Sequence, residues 1–255
     1  MGRRKSNKKK LEEGRCLGIG PDYVPFYKAN EGGSRGTASM IPDPIEHRMI
    51  HVLSDTEKML YHLLRWDEET EYIREQYLLD ADRINDVRRE LGYSQVPKSA
   101  CFTTDFLVDY RDGSQHAYSV KFSSQQFDVE SREYAGRENA YARLIERQNT
   151  ERLYWESQGV PFSIVTRDDL LKHRIQIKNI AFIMQFYNPL FITNTEQKLL
   201  YLIAHHIVTV SIEDEFINPK QLVKRMTFDI DGVYEKAITM KGRVEDGRQN
   251  KSTAG

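Results

Sequence analysis

Cysteine is scarce in this chain of 255 residues: there are two, Cys16 and Cys101, and they form no C-x-x-C pair. That count argues against a disulfide framework and against a thiolate zinc site, and it suits a reducing, cytoplasmic setting. Long apolar runs are also missing. No stretch approaches the roughly 20 apolar residues that cross a bilayer, and the basic opening Met1 to Lys10 has no apolar segment behind it to make a secretory signal. A soluble protein with no membrane partner is expected. Excess charge is absent as well, because 37 Lys and Arg against 38 Asp and Glu leave a formal net charge of −1. Bulk electrostatics therefore names no polyanionic partner, and any DNA contact must come from local patches. No internal repeat is visible. What is present is 39% hydrophobic residues, enough for a real core in one large or two small domains, of which two are expected.

Residues 1–12 read as a basic arm, with Arg3-Arg4-Lys5 and Lys8-Lys9-Lys10 ahead of the first acid, Glu12. Such an arm is either a solvated tail or a segment that lies on DNA phosphate. Between 14 and 46, Gly18, Gly20, Pro21 and Gly32-Gly33 break up long elements, so loops and short strands are expected. Ser54-Asp55-Thr56-Glu57 matches a capping box, and Met59, Leu60, Leu63 and Leu64 then share one helical face, predicting a helix that ends near Trp66. Glu71 to Leu79 suits an extended segment, and Asp82 to Leu91 a short helix closed by Gly92. A helix is predicted from about Val129 to Ser157, with Ala142, Ile145, Asn149, Leu153 and Tyr154 at helical spacing, followed by a buried strand over 161–166. The resulting order gives an α/β domain over 13–170 and a smaller, mainly helical domain over 171–240 that a winged-helix module would fit. The tail, 241–255, is Gly-, Ser- and charge-rich and reads as disordered.

The chemistry gathers around two β-prone stretches. Asp105-Phe106-Leu107-Val108-Asp109-Tyr110 and Tyr118-Ser119-Val120-Lys121-Phe122 flank the turn signal Arg111-Asp112-Gly113-Ser114, so a hairpin brings Asp105 and Lys121 together. A hard carboxylate beside an ammonium suits phosphodiester hydrolysis with a divalent ion. Asp105 also has a plain reading as a strand-end acid bonded to its own backbone, and Lys121 as a solvated strand lysine. Glu57 is the candidate second acid. As the third residue of a capping box it has the local task of accepting the Ser54 N–H, while the positive helix end should lower its pKa and keep it ionised. Asp67 is a candidate outer-shell acid or an ordinary helix-end Asp. Ser119 offers a hydroxyl where this class of site usually has a second acid. His205-His206 point in different directions on a helix and lack a third ligand, so metal binding there is not expected. Trp66 and Trp155 read as core or interface aromatics.

These residues resemble a known family. Leu53 to Glu57, Ile73-Arg74-Glu75-Gln76, Ser99 to Asp109, Val120-Lys121, Glu151 to Trp155 and Pro161-Phe162 look like the TnsA endonuclease subunit of heteromeric, Tn7-like bacterial transposases, with Glu13-Gly14-Arg15 and Asp22 to Pro25 upstream in the same pattern. The resemblance spans roughly 10–170 in order. It implies a restriction-endonuclease-like fold with a variant PD-(D/E)-x-K site. It implies Glu57 and Asp105 as metal-binding acids, Lys121 as the catalytic lysine, and the Val120 carbonyl as a further ligand. One or two Mg²⁺ ions, replaceable by Mn²⁺, would be the cofactor. The implied task is hydrolysis of the 5′ strands at transposon ends, with transposon-end DNA, a DDE-type recombinase and an AAA+ ATPase regulator as partners. Ser119 departs from the family pattern, which has Gln there, and Asp67 stands where a longer acid is usual. Two other readings remain open: a stand-alone restriction or repair endonuclease, and a DNA-binding adaptor whose acidic site has decayed.

Overall fold

A computed structural model describes residues 5–31, 37–97, 99–128, 130 and 137–240. The chain divides into two compact units, Met1–Lys172 and His173–Gly255. Among the described residues no helix is long and apolar enough to cross a membrane.

The first unit is built on a mixed sheet of four strands, β3 (Thr70–Leu78), β4 (Thr103–Tyr110), β5 (Gln115–Lys121) and β6 (Phe162–Thr166), in that spatial order. β4 pairs antiparallel with both β3 and β5, and β6 lies parallel to β5. Parallel pairing needs a long crossover, which here includes α4 (Glu138–Glu156). Leu107 of β4 and Ala117 of β5 pack with Ile84 and Val87 of α3 (Ala81–Glu90) and with Tyr154 and Trp155 of α4 to form a buried apolar cluster. A separate hairpin, β1 (Ser39–Asp43) with β2 (Arg48–Val52), and helix α2 (Asp55–Trp66) pack against β3.

The expected α2 is present to the residue: Ser54 caps it by accepting the Glu57 N–H at 3.1 Å, and Asp67 closes it. The predicted hairpin forms with Phe106 opposite Tyr118 and Asp109 opposite Gln115. Other expectations shift. Residues read as a basic arm include a helix, α1 (Asn7–Glu12), because Ser6 caps it and Lys10 is buried with its ammonium over the rings of Phe26 and Tyr27. α4 begins at Glu138, and of the earlier part of the predicted helix 129 and 131–136 lie outside the described residues. Its buried residues are Gln148, Thr150, Glu151, Tyr154 and Trp155, while Ala142 is exposed. A polar helix face is thus turned inward, which apolar periodicity does not detect.

A buried ionic network locks the hairpin and α2 onto β3. The Arg48 guanidinium grips both Glu75 oxygens at 2.9 and 2.8 Å and Glu46 at 2.8 Å. Glu46 also pairs with Arg65 of α2 and accepts the Ile73 N–H at 2.7 Å. Arg65 Nε lies 2.7 Å from Asp43 Oδ2, an ion pair whose direction misses hydrogen-bond geometry, and Tyr61 donates to the same oxygen at 3.0 Å. Burial raises the Glu75 carboxyl above its usual range, and Arg48 works against that rise.

The second unit is helical among its described residues: α6 (Arg174–Ile183), α7 (Thr195–Ala204), α8 (Pro219–Arg225) and helical residues 230–240 follow α5 (Arg167–Leu171), which belongs to the first unit. No strand that could form a wing occurs among the described residues of this unit, so the winged-helix expectation is not met. Its core is the buried run Leu199 to Ala204 with Ile177, Ile180 and Ile183. Asn179 staples the following loop by donating to the Ile212 and Glu215 carbonyls, both at 2.8 Å, and accepting the Ile217 N–H at 3.0 Å. His205 is held by the Tyr187 carbonyl at 2.9 Å, and its ring lies tilted against that of Tyr201. The tail, 241–255, lies outside the described residues.

The network generates a stability contrast. Arg48→Ala strands Glu46 and Glu75 without their counter-charge and should destabilise the first unit by about 3–5 kcal/mol. Arg89→Ala should change it by less than about 0.5 kcal/mol, because its pair with Asp86 is exposed. Urea unfolding followed by the fluorescence of buried Trp155 measures both, and equal effects would contradict this account.

Candidate active site

Two acids reach one place from different elements. Glu57 stands in the first turn of α2, 7% exposed, and its carboxylate accepts the Leu53 N–H at 2.8 Å and the Ser54 hydroxyl at 3.0 Å. The reciprocal half of a capping box, an acceptance from the Ser54 N–H, is replaced by this reach one residue further back. Asp105 stands third in β4, and its Oδ2 accepts the Val120 N–H from β5 at 2.6 Å. Between the acids sits Gln76 of β3, whose Nε2 lies 3.3 Å from Glu57 Oε2 and 3.4 Å from Asp105 Oδ1. One amide group thus bridges the two carboxyl groups.

Gln76 can do this because its backbone is left-handed, with φ of 49° in the middle of a strand. Side chains normally alternate across a strand, so Glu75 and Tyr77 should share a face. They do not: Glu75 meets Arg48, whereas Tyr77 packs with Trp155 against the α3–α4 cluster. The break in alternation leaves the Gln76 side chain between the acids. Nothing in residue spacing signals this, and sequence reasoning assigned Gln76 no role.

The hairpin brings the Lys121 segment to Asp105 through the backbone of Val120. The Lys121 ammonium donates to Ser119 Oγ at 2.6 Å and to the Val120 carbonyl at 3.2 Å. Ser119 is 1% exposed, and its hydroxyl orients the lysine where an acid was expected. Asp67 is not brought in. It sits exposed at the opposite end of α2 and accepts the Glu69 N–H at 3.0 Å. Ten residues of helix place that end about 15 Å from Glu57.

The electrostatics of Glu57 reverse the sequence expectation. Its carboxyl is pushed up to about 8, first by burial and second by the charge of Asp105, and the hydrogen bonds from Leu53, Ser54 and Gln76 only partly offset this. A helix N-terminus contributes a fraction of a unit charge near water, which loses to desolvation beside a second carboxylate. A third acid was missed. Glu151 of α4 is 2% exposed, accepts the Thr104 hydroxyl at 2.8 Å, and is raised to about 7 by burial and then by Asp105, with Lys121 acting in the opposite sense. Among the described residues no three of His, Cys, Asp and Glu close on a single point to hold a metal unaided.

The donors fit a hard divalent cation. Two carboxyl groups held side by side, one with its proton retained by burial and then by the charge of the other, form a site that a cation would relieve. Glu57 and Asp105 would hold it, and the Val120 carbonyl lies at the same strand end.

Glu57 makes a stability prediction for the protein in EDTA. Its folded pKa is raised, so the stability it contributes is full below an unfolded value near 4.5 and is lost as pH rises through about 8. Glu57→Gln keeps an acceptor for the Leu53 N–H and carries no charge. It should melt a few degrees above the wild type near pH 8 and converge with it near pH 5. A variant that melts below the wild type by a constant margin at both pH values would sink the assignment.

Residues 67–167 match the family described as TnsA-like endonuclease N terminal, a segment that holds Gln76, Asp105, Ser119, Lys121 and Glu151 but begins after Glu57. The chain is 28% identical over 165 residues to the transposon Tn7 transposition protein TnsA of Escherichia coli. That alignment covers 64% of this chain and 56% of the relative, so the chain spans little more than half the length of the curated protein it matches. Residues 67–167 thus match a TnsA-like endonuclease N-terminal domain, and the chain is similar to the TnsA protein over the aligned part.

Proposed function

We propose that the chain is the metal-dependent DNA endonuclease subunit of a heteromeric transposase, and that it hydrolyses the 5′ strands at transposon ends from a restriction-endonuclease-like site. The observation that carries this is the juxtaposition of Glu57, Asp105 and Lys121 at the end of the β4–β5 hairpin, with Gln76 between the acids. The curated relative is named a transposition protein of transposon Tn7, which supports the choice of substrate class.

When bound, Mg²⁺, or Mn²⁺ in its place, supplies positive charge to a phosphate oxygen and lowers the pKa of a water molecule. The chain's own groups do the rest. Asp105 is fixed by the Val120 N–H, and Glu57 by Leu53 and Ser54, so neither acid needs to reorganise on binding. Lys121, steered by Ser119, offers an ammonium to the developing negative charge on phosphorus-bound oxygen. Water attacks phosphorus in line, the bond from phosphorus to the 3′ oxygen breaks, and the products carry a 5′-phosphate and a 3′-hydroxyl. A DDE-type recombinase would cut the 3′ strands and join them, and an AAA+ ATPase regulator would couple both to target choice.

Asp105→Ala and Lys121→Ala should each reduce 5′-strand nicking of labelled end DNA to background when assembled with the recombinase, with far-ultraviolet circular dichroism unchanged. Normal nicking by the purified Asp105→Ala protein would refute the site. Efficient metal-dependent cutting by the wild-type chain alone would favour the stand-alone endonuclease instead. DNA binding without cutting under any metal would favour the adaptor.

A further inference from the structure

An arginine without a counter-charge stands where β5 and β6 leave the sheet. The two strands run parallel with Lys121 opposite Thr166, so the residue after each, Phe122 and Arg167, lies at the same end of the sheet as Lys121. Phe122 is 63% exposed, and the Arg167 guanidinium carbon lies 5.4 Å from the centre of its ring, a cation–π contact. Arg167 Nε is buried without a hydrogen bond, while the residue as a whole is half-buried. Among the described residues the guanidinium makes no ion pair, although two acids follow it in the chain. Both acids are engaged elsewhere. Asp168 Oδ2 accepts the Ser123 hydroxyl at 3.3 Å and the Ser124 N–H and hydroxyl at 3.2 and 3.0 Å. Asp169 Oδ2 accepts the Thr166 N–H at 3.1 Å and hydroxyl at 2.6 Å, and its other oxygen lies 3.5 Å from Lys172. The bonds to Asp168 also tie the segment behind Phe122 to the start of α5, which keeps ring and guanidinium together.

An arginine that merely solvates the surface leaves its head free in water or paired with a nearby acid. This one has its inner nitrogen sunk beside a ring and its charge unmatched. A guanidinium held in that way offers a fixed fork of donors, which fits the oxygens of a phosphate. We propose that Arg167, seated on Phe122, grips a backbone phosphate of the DNA next to the scissile one, on the β6 side of Lys121. This rests on the nuclease reading above. Lys121 answers charge that develops at the cut, whereas Arg167 answers the permanent charge one phosphate away. Its contribution is therefore to place the strand, and it carries no information about base sequence. Phe122 acts through Arg167 by fixing where the guanidinium sits.

Single-turnover nicking by the full chain, assembled with the recombinase, tests the assignment on end duplexes in which one phosphate at a time near the cut is replaced by an uncharged methylphosphonate. For the wild type, neutralising one phosphate adjacent to the cut should slow nicking about tenfold or more. Arg167→Gln should slow nicking of unmodified DNA by a similar factor and lose its sensitivity to that one replacement, since the two changes remove the same contact. Phe122→Ala should slow nicking about two- to fivefold, the worth of an exposed cation–π contact, and should melt at the wild-type temperature. Wild-type rates in Arg167→Gln overturn the proposal. So do effects of Arg167→Gln and of the neutral phosphate that multiply at every position, which is what a merely structural role predicts. If Arg167→Gln fails to fold, Phe122→Ala decides, and a wild-type rate there overturns the proposal. Lys121→Ala separates the two levels of inference. If nicking is lost in Lys121→Ala but kept in Arg167→Gln, only this proposal fails; if the assembled wild type does not nick, or Lys121→Ala nicks normally, the nuclease reading fails and takes this one with it.

Discussion

Keeping a buried Glu57 beside the half-buried Asp105 is the constraint around which the first unit is organised. Two carboxylates in that position repel, and the burial of Glu57 reduces the solvent screening between them, so the arrangement persists only if other groups hold each acid from behind. Backbone N–H groups do this on both sides, from Leu53 for one acid and Val120 for the other. Their positions depend in turn on larger elements. The Arg48, Glu46, Arg65 and Asp43 network clamps α2 to β3 and so sets where its first turn lies. The β4–β5 register, with Phe106 opposite Tyr118, decides that the Val120 N–H faces Asp105.

The strained residue in this frame is Gln76. Left-handed backbone at a non-glycine position costs on the order of 1–3 kcal/mol and survives only where neighbours determine it. Here the neighbours come from the N-terminal segment: Phe26 donates its N–H to the Gln76 carbonyl at 3.3 Å, Cys16 Sγ reaches the same oxygen at 3.5 Å, and Tyr23 donates to the Glu75 carbonyl at 2.9 Å. Arg15 holds that segment closed by donating to the Phe26 carbonyl at 2.9 Å and pairing with Glu13 and Glu31. A stretch rich in glycine and proline, which looks like connecting loop, therefore supports the bridge between the two acids.

What could be read from residues alone follows the range of the interaction involved. The Ser54 cap, the α2 boundary, the turn at 111–114 and the placement of Asp105 against the Val120–Lys121 strand are decided within a few residues, and local patterns disclosed them. Charge state was not legible, because the rise at Glu57 comes first from burial that only the fold creates and then from an acid 48 positions away. Asp67 failed as an outer-shell acid for a geometric reason: a straight helix carries it away from Glu57, and nothing in the folded chain turns it back. Gln76 and Glu151 escaped notice because a polar residue in a strand or helix ordinarily marks the solvent face. Lys10 misled for the converse reason, since a run of lysines conceals the one whose stem and ammonium are packed on aromatic rings.

The departures from ordinary folding rules are also unevenly distributed. A left-handed glutamine within a strand, two glutamates whose carboxyls are raised to about 8 and about 7, and a glutamine with its whole amide buried and unpaired come from β3, α2 and α4. Each opposes stability, and natural chains keep such features mainly where function requires them. The equally buried Arg48 and Glu75 make the contrast, since their charges are matched and hydrogen-bonded and they serve packing. His62, with its Nε2 unpaired in the same unit, shows that a single orphan is weak information. Asp105 connects most of the departures, because it meets the Gln76 amide directly and raises both glutamates. That concentration of unfavourable terms around one aspartate is a physical reason, separate from any likeness to other proteins, for centring the proposed site on Asp105.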